Sequence, residues 1–260
     1  MFGYPEIERA VFKNNFLRSI IISIVYDPIV VTDFQDKIKT SLIDFFPRFR
    51  SKTDSAVKIE FRPNVKTPIV NVGDGVGGYQ LQSEDGLSTI SFENTGVTLN
   101  IAGVSYKQFD DIRPLLVAIQ QLLKEMGVEG LKRLSIRKLN VANFETQELA
   151  SVFEEILNPR LATSAISAIP NIENAMQHMM TVSLKEGEYR LNLAYGIPPL
   201  RSNQTPIKGI FVEDIDVIRE STLTIDDLMR ELNIINQAIF EIFMWINSDK
   251  LKQRLIGNEE

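Results

Sequence analysis

The chain of 260 residues contains no cysteine and a single histidine, His178. These two residue types supply most of the nucleophiles, proton carriers and metal ligands that work near neutral pH. Without cysteine, thiol catalysis, disulfides and thiolate-bound metal clusters are excluded. With one histidine, a metal site that needs two of them is excluded as well.

The one histidine does not suggest a catalytic site. His178 lies in the apolar stretch AMQHMMTV, next to Met179 and Met180. No neighbouring serine and aspartate complete a triad pattern in sequence. We therefore expect a packed or surface histidine, with methionines that fill gaps in a core.

Long apolar runs are also missing. No stretch approaches the roughly 20 apolar residues of a membrane-spanning helix, and the first ten residues lack the regions of a secretion signal. We therefore expect a cytoplasmic protein with no membrane partner. Its net charge of −6 repels phosphate backbones, so nucleic acid is disfavoured as a direct partner unless a local basic patch binds it.

The first part of the chain alternates strands and helices. Residues 16–26 are β-branched and of strand length, and a helix that begins at Thr32 with a capping box to Gln35 ends before Pro47. Residues 57–102 are typical of an antiparallel meander, because turn residues separate its apolar runs. A helix from about Arg113 and a strand in 131–144 follow.

The second part repeats this order loosely, with a helix near 149–157, three strands in 179–219 and a long helix from about Ile225. The sequence therefore predicts an α+β protein of two packed halves, each an antiparallel sheet with helices on one face. The predicted domains are residues 1–144 and 145–260.

One glycine motif is a misleading match. Residues 73–78, GDGVGG, fit the phosphate-binding pattern G-x-G-x-x-G. That pattern needs a helix directly after it, and a strand-like segment follows instead. We expect a flexible hairpin loop here.

A basic strand offers a candidate anion site. Arg133 and Arg137 share one face of the strand that follows the second helix. Guanidinium groups bind phosphates and carboxylates through two parallel hydrogen bonds, so the pair suits an anion or an acidic partner segment. The alternative, which we favour, is that the two arginines pair inside the protein with an acidic strand.

That acidic strand contains Asp214 and Asp216 on one face and Glu213 on the other. Two carboxylates so placed can share a hard cation such as Mg²⁺. No spacing in the sequence supplies the third carboxylate and the lysine or histidine that a working site usually needs. A solvated strand face is the alternative, and we expect no cofactor.

The last helix has more apolar surface than one sheet can cover. Its three-four repeat of aliphatic residues forms one seam, and Phe240, Phe243 and Trp245 add apolar area on other sides. We predict that these aromatic residues contact a second surface. This surface is the first half of the chain, a second copy or a different protein.

Several segments together resemble a sporadically distributed, uncharacterised family of bacterial proteins of about 250 residues. The segments are YPEIERAVF, YKQFDDIRP, RLSIRKLN, FVEDIDV and NQAIFEIF. The resemblance implies a tryptophan beside Tyr106 and a histidine in the last helix, where this chain has Lys107-Gln108 and Asn236-Gln237. The patchy occurrence of the family implies a role in antiviral defence or in a toxin–antitoxin pair.

These features predict a non-catalytic protein-binding or adaptor component, for example of a bacterial defence or toxin-neutralising module. Its partner would be another protein chain, in a homodimer or a hetero-complex. The alternative is a metal-dependent phosphodiester hydrolase, similar to a nuclease, that uses Asp214 and Asp216.

Overall fold

The structure is a computed structural model that describes residues 1–8, 12–13, 15–60, 69–143, 149–167, 177–198 and 210–256. Its centre is one antiparallel sheet of ten strands. The strands are β1 (Leu17–Tyr26), β2 (Arg48–Glu60), β3 (Ile69–Gln82), β4 (Ser88–Glu93), β5 (Gly96–Ala102), β6 (Gly130–Asn143), β7 (His178–Glu186), β8 (Tyr189–Ile197), β9 (Ile210–Arg219) and β10 (Leu223–Thr224).

The strand order is β2-β3-β4-β5-β1-β6-β9-β8-β7, with the short β10 paired to β6. Six α-helices accompany the sheet in the part of the chain that the structure describes. They are α1 (Gln35–Leu42), α2 (Arg113–Glu125), α3 (Leu149–Ile156), α4 (Pro159–Ser167), α5 (Leu228–Ile246) and α6 (Asp249–Ile256).

The two faces of the sheet differ in burial. On β1 the residues Ile20, Ile22 and Ile24 are buried, and the residues between them are only half-buried. Because side chains alternate along a strand, the helices and the core lie on one face, which we call the helix face. We call the other the open face, and its side chains are mostly exposed or half-buried along the described strands.

The predicted α+β class is confirmed. Strands from before and after residue 145 belong to the same sheet, because β6 pairs with β9 over ten residues. The predicted boundary between residues 144 and 145 lies outside the described residues. The division into two domains stays a prediction.

Two local predictions were wrong. Residues 73–78 are part of β3 and pair with β2, so the glycine-rich segment is a strand and not a loop. The capping box at Thr32 is replaced by a 3-10 turn over Val31–Phe34 with no side-chain cap. The side chain of Gln35 instead accepts a hydrogen bond from the Tyr79 hydroxyl at 3.1 Å.

One glycine is required where β7 meets β8. Gly196 has φ +135°, and a Cβ atom there would lie 2.0 Å from the carbonyl oxygen of His178. Only a residue without a side chain allows this approach. The start of β7 therefore depends on Gly196.

Candidate functional site

The sheet places the basic and acidic strands next to each other. In the β6–β9 ladder Arg137 pairs with Asp216, and Leu139 pairs with Asp214. Partners in an antiparallel ladder have side chains on the same face. Arg137, Asp214 and Asp216 therefore meet on the open face.

Arg137 and Asp214 form a two-pronged ion pair. The Nε atom of Arg137 donates to Oδ1 of Asp214 at 2.7 Å, and its Nη2 atom donates to Oδ2. The hydrogen bonds to Asp214 raise the pKa of the Arg137 guanidinium. The predicted internal pairing is confirmed for this arginine, although 49% of its side chain remains exposed.

Asp216 has weaker support than its neighbour. Asn192 Nδ2 donates to it over a long 3.4 Å distance. Burial raises the pKa of the Asp216 carboxyl, and the Asn192 bond and the charge of Arg137 oppose that rise. Asp216 is thus a partly desolvated carboxylate with room for a stronger donor.

Arg133 does not take part in this ion pair. It lies opposite Val25 of β1 and is exposed. Within the described ranges no ion pair of Arg133 is present, and its charge only lowers the pKa of Asp216 through space. Anion binding by Arg133 and Arg137 together stays a prediction, although the guanidinium of Arg137 already binds the carboxylate of Asp214.

Arg137, Asp214 and Asp216 form one side of a groove of about 490 Å³ on the open face. Sequence reasoning missed its other side, which comes from β7 and β8. The sequence predicted strands in this region, but no sequence signal placed β8 beside β9. The lining residues are Arg137, Thr181, Val182, Ser183, Asn192, Leu193, Ala194, Asp214 and Asp216.

The groove offers no complete metal site in the described part of the chain. No group of three or more histidine or acidic residues there could hold a metal ion. Both carboxylate oxygens of Asp214 also accept hydrogen bonds from Arg137. A guanidinium in that position competes directly with a cation, so the Mg²⁺ prediction gains no support.

Glu213 lies next to Asp214 in sequence and on the opposite face. Its side chain is fully buried on the helix face, where Asn247 Nδ2 donates to it at 3.3 Å. Burial raises the pKa of the Glu213 carboxyl to about 8. Its Oε1 atom has no hydrogen-bond partner among the described residues. The raised pKa favours the neutral, protonated form of Glu213 at pH 7.

The aromatic residues of α5 contact the N-terminal segment of the chain. Phe12 stacks on Phe240 at 5.9 Å between ring centres and lies 5.6 Å from Phe243. Tyr4 meets Trp245 edge-on at 5.1 Å. These contacts supply a second surface within the chain, one of the three that the sequence left open. A role of the three aromatic residues in partner binding stays a prediction.

A small apolar cavity lies under these rings. It has a volume of about 70 Å³, well below the roughly 300–1,000 Å³ of sites that hold small molecules. Phe16, Lys138 and Phe243 are among its lining residues. The cavity is too small for a metabolite.

His178 begins β7 at the edge of the sheet. Its ring lies edge-on to Phe153 with centres 5.1 Å apart. Its Nδ1 atom is buried and has no hydrogen-bond partner among the residues that the structure describes. The histidine is therefore packed, as the sequence suggested, and it lies at the edge of the sheet.

Comparison with known proteins adds little. No family model matches the chain, and no curated protein matches it. Among solved structures, Methanococcus jannaschii TBP is similar at 10% identity and a TM-score of 0.23, over 85% of this chain and 95% of that chain. A likeness this low supports no statement about function.

Of the helices in the described ranges, none combines the length and apolarity that a crossing requires.

Proposed function

We propose that this chain is a non-catalytic protein-binding component whose partner docks in the groove on the open face. The observation that carries the proposal is the desolvated Asp216 beside the Arg137–Asp214 pair. A charged group with an incomplete set of partners is a ready point of attachment for another chain.

The hydroxyl groups in the groove support binding rather than catalysis. Ser183 Oγ donates to Asn192 Oδ1 at 3.0 Å. An amide oxygen does not remove the proton that a nucleophilic serine must lose. The one histidine is packed against Phe153 and is not among the described residues that line the groove, so no imidazole is available there to activate a serine.

The charges indicate the chemistry of the partner. The whole chain has a net charge of −6, which attracts basic segments and speeds their approach. Asp216 has a long amide contact that a lysine or arginine of the partner would improve. We therefore propose a partner segment that brings a basic side chain to Asp216.

The cellular setting follows from weaker arguments. A place in a bacterial defence or toxin-neutralising module rests on the sequence resemblance. It stays a prediction, as does a cytoplasmic location. The hydrolase alternative has no observation in its favour, because Arg137 occupies Asp214.

The proposal is tested by capture followed by measured affinities. The chain is used to isolate a partner from its own cells, the partner is identified and purified, and binding is measured by calorimetry. We expect Asp216→Lys to weaken binding at least tenfold by placing like charges together. Asp44→Lys is the control, because it makes the same change in charge at an exposed carboxylate in the turn after α1, outside the strands of the groove.

Equal affinities for the parent and Asp216→Lys would refute docking in the groove. If Phe240→Ala weakens binding and Asp216→Lys does not, the partner surface is the last helix. Failure to capture any partner at physiological salt would contradict the binding function itself.

A further inference from the structure

Strand β7 forms a long edge of the sheet. Its nine residues, His178–Glu186, pair with β8 along their whole length without a change in register. On its other side no strand is present among the described residues. Every second residue of β7 therefore directs its backbone N–H and C=O groups away from the sheet, where another strand can bind them.

The opposite edge is better protected against such pairing than β7, whose charged residues Lys185 and Glu186 lie only at its end. On β2 the register shifts between Lys52 and Thr53, and Arg48, Arg50 and Lys52 are charged. Irregular register and charged residues are the usual means by which edge strands avoid one another. β7 has no proline and no bulge, and it exposes 38% of Met179 and 39% of Leu184.

We propose that β7 is a dimerisation edge, on which β7 of a second copy of this chain pairs antiparallel about a two-fold axis at Val182. The two sheets then join into one, with the helices of both copies on the same side. This proposal does not depend on the partner-binding function of the groove.

The register follows from geometry. A two-fold axis perpendicular to the sheet keeps the helix face on one side, so each residue must pair with one from the same face. That condition allows only registers in which a residue meets its own counterpart. Self-pairing at Val182, the middle residue of His178–Glu186, is the one that matches all nine residues.

The strand is complementary to itself in this register. On the helix face His178 lies opposite Glu186, Met180 lies opposite Leu184, and Val182 meets its own copy. The apolar residues thus meet each other in the centre, and an imidazole meets a carboxylate at both ends. On the open face Thr181 lies opposite Ser183, and Met179 lies against the aliphatic part of Lys185.

In this register His178 of one copy lies next to Glu186 of the other, so the imidazole and the carboxylate can interact. The buried Nδ1 atom of His178 has no partner among the described residues of its own chain. One oxygen of Glu186 accepts the backbone N–H of Phe2, which fixes the carboxylate at the edge of the sheet. A carboxylate from the second copy would bring an acceptor and a negative charge to the imidazole.

The size of the contact sets the expected affinity. One pair of nine-residue strands buries less than the roughly 1,200 Å² typical of stable complexes, so we expect a reversible dimer with a Kd on the order of micromolar. The two β9 strands, with Asp214 and Asp216, would lie about 24 Å apart at five strand spacings, with their open faces on the same side of the joined sheet.

The first experiment introduces charges at Thr181 and Ser183. Both residues are exposed, and they lie opposite each other in the proposed dimer. Sedimentation equilibrium is measured for the parent and for two double variants. Thr181→Lys with Ser183→Lys opposes like charges and should weaken the dimer at least tenfold. Thr181→Lys with Ser183→Glu opposes unlike charges and should restore it.

The control places the same two charges on an inner strand of the same face. Thr98→Lys with Asn100→Lys on β5 changes exposed residues far from the edge and should leave the dimer intact. A parent that stays monomeric at a few hundred micromolar, well above the micromolar Kd expected here, would refute the proposal. Equal weakening by the edge and the inner-strand lysines would also refute it.

The second experiment tests the register and uses the absence of cysteine from the chain. Val182→Cys places the two thiols opposite each other, so mild oxidation should give a disulfide-linked dimer. Leu184→Cys on the same strand separates the thiols by about 13 Å, four residues at ~3.3 Å each, and should give little cross-linking. Faster linking of Leu184→Cys than of Val182→Cys would refute the register.

Discussion

Two ion pairs of similar chemistry lie on opposite faces of the same sheet. On the open face, Arg137 and Asp214 have side chains that are 49% and 20% exposed. On the helix face, Arg219 pairs with Glu231 of α5, and their side chains are 13% and 3% exposed. Glu231 also accepts the Tyr189 hydroxyl at 2.7 Å.

The difference arises because neighbouring residues of one strand face opposite sides of the sheet and therefore different environments. Along β9, Glu213 is buried and Asp214 is half-exposed, although one peptide bond separates them. Burial removes water from the first and raises its pKa to about 8. A partner arginine and solvent stabilise the charge of the second. The helix face therefore removes its charged side chains from water, and the open face leaves part of its ion pair in contact with solvent.

The largest expected effect is the loss of the buried arginine. Arg219→Met leaves Glu231 with a weaker set of partners, and removing one member of a buried pair costs about 3 kcal/mol or more. Denaturant unfolding measures this as a shift in midpoint at constant m-value. Arg219→Met with Glu231→Met should recover part of the loss, because no carboxylate then remains buried without its arginine. A double variant less stable than the single one would contradict this account.

The second prediction concerns the buried carboxyl of Glu213. Because its pKa rises from 4.5 to about 8 in the folded state, the folded protein binds this proton more tightly than the unfolded chain does. Its contribution is full below about pH 4.5 and is lost as the pH rises to about 8. Relative to Glu213→Gln, parent stability should fall by roughly 1 kcal/mol per pH unit in that window.

Asp216→Asn provides the matched comparison on the open face. Burial also raises the pKa of Asp216, but Asn192 and Arg137 oppose the rise. Relative to Asp216→Asn, the parent should thus show the same sign of pH dependence with a smaller slope. Thermal unfolding over pH 4–8.5 checks both, and a flat difference for Glu213→Gln would contradict its burial as a neutral group.

The third prediction is the open-face equivalent of the first. Arg137→Met should reduce stability by about 1 kcal/mol or less, because exposed ion pairs contribute little. Denaturant unfolding of Arg137→Met beside Arg219→Met measures the contrast between the two faces. Losses of equal size would show that the Arg137–Asp214 pair is as important to the fold as the buried one.

The smallest expected effect is that of a divalent cation. Because Arg137 binds both oxygens of Asp214, Mg²⁺ or Mn²⁺ should leave the Tm of the parent unchanged. A ligand that binds only the folded state would raise it by mass action. A metal-dependent increase that Asp214→Asn with Asp216→Asn abolishes would revive the hydrolase alternative.

Local patterns predicted the strands and helices well. The three-four spacing of α5 and the alternation of β9 correspond to real elements, because both periodicities report which residues face a core. The pairing of Arg137 with an acidic strand was also accessible, because net acidity makes an unpaired basic strand unusual.

The order of the strands in the sheet and the positions of the helices could not be predicted from local sequence. Nothing local in β8 shows that Asn192 pairs with Asp216, so the second side of the groove was missed. The burial of Glu213 likewise depends on Asn247, which is 34 residues away in sequence. Strand order and helix placement result from packing of the whole chain, and no window of ten residues contains them.

The contact between the N-terminal segment and α5 also bears on the order of events in folding. Gln237 Nε2 donates to the carbonyl oxygen of Ile7 across 230 positions of sequence, and Tyr4 meets Trp245. A contact of such long range has a high entropic cost until the intervening strands have assembled. We expect the segment to attach late in folding and to be the first part to detach, with the least protection against hydrogen exchange.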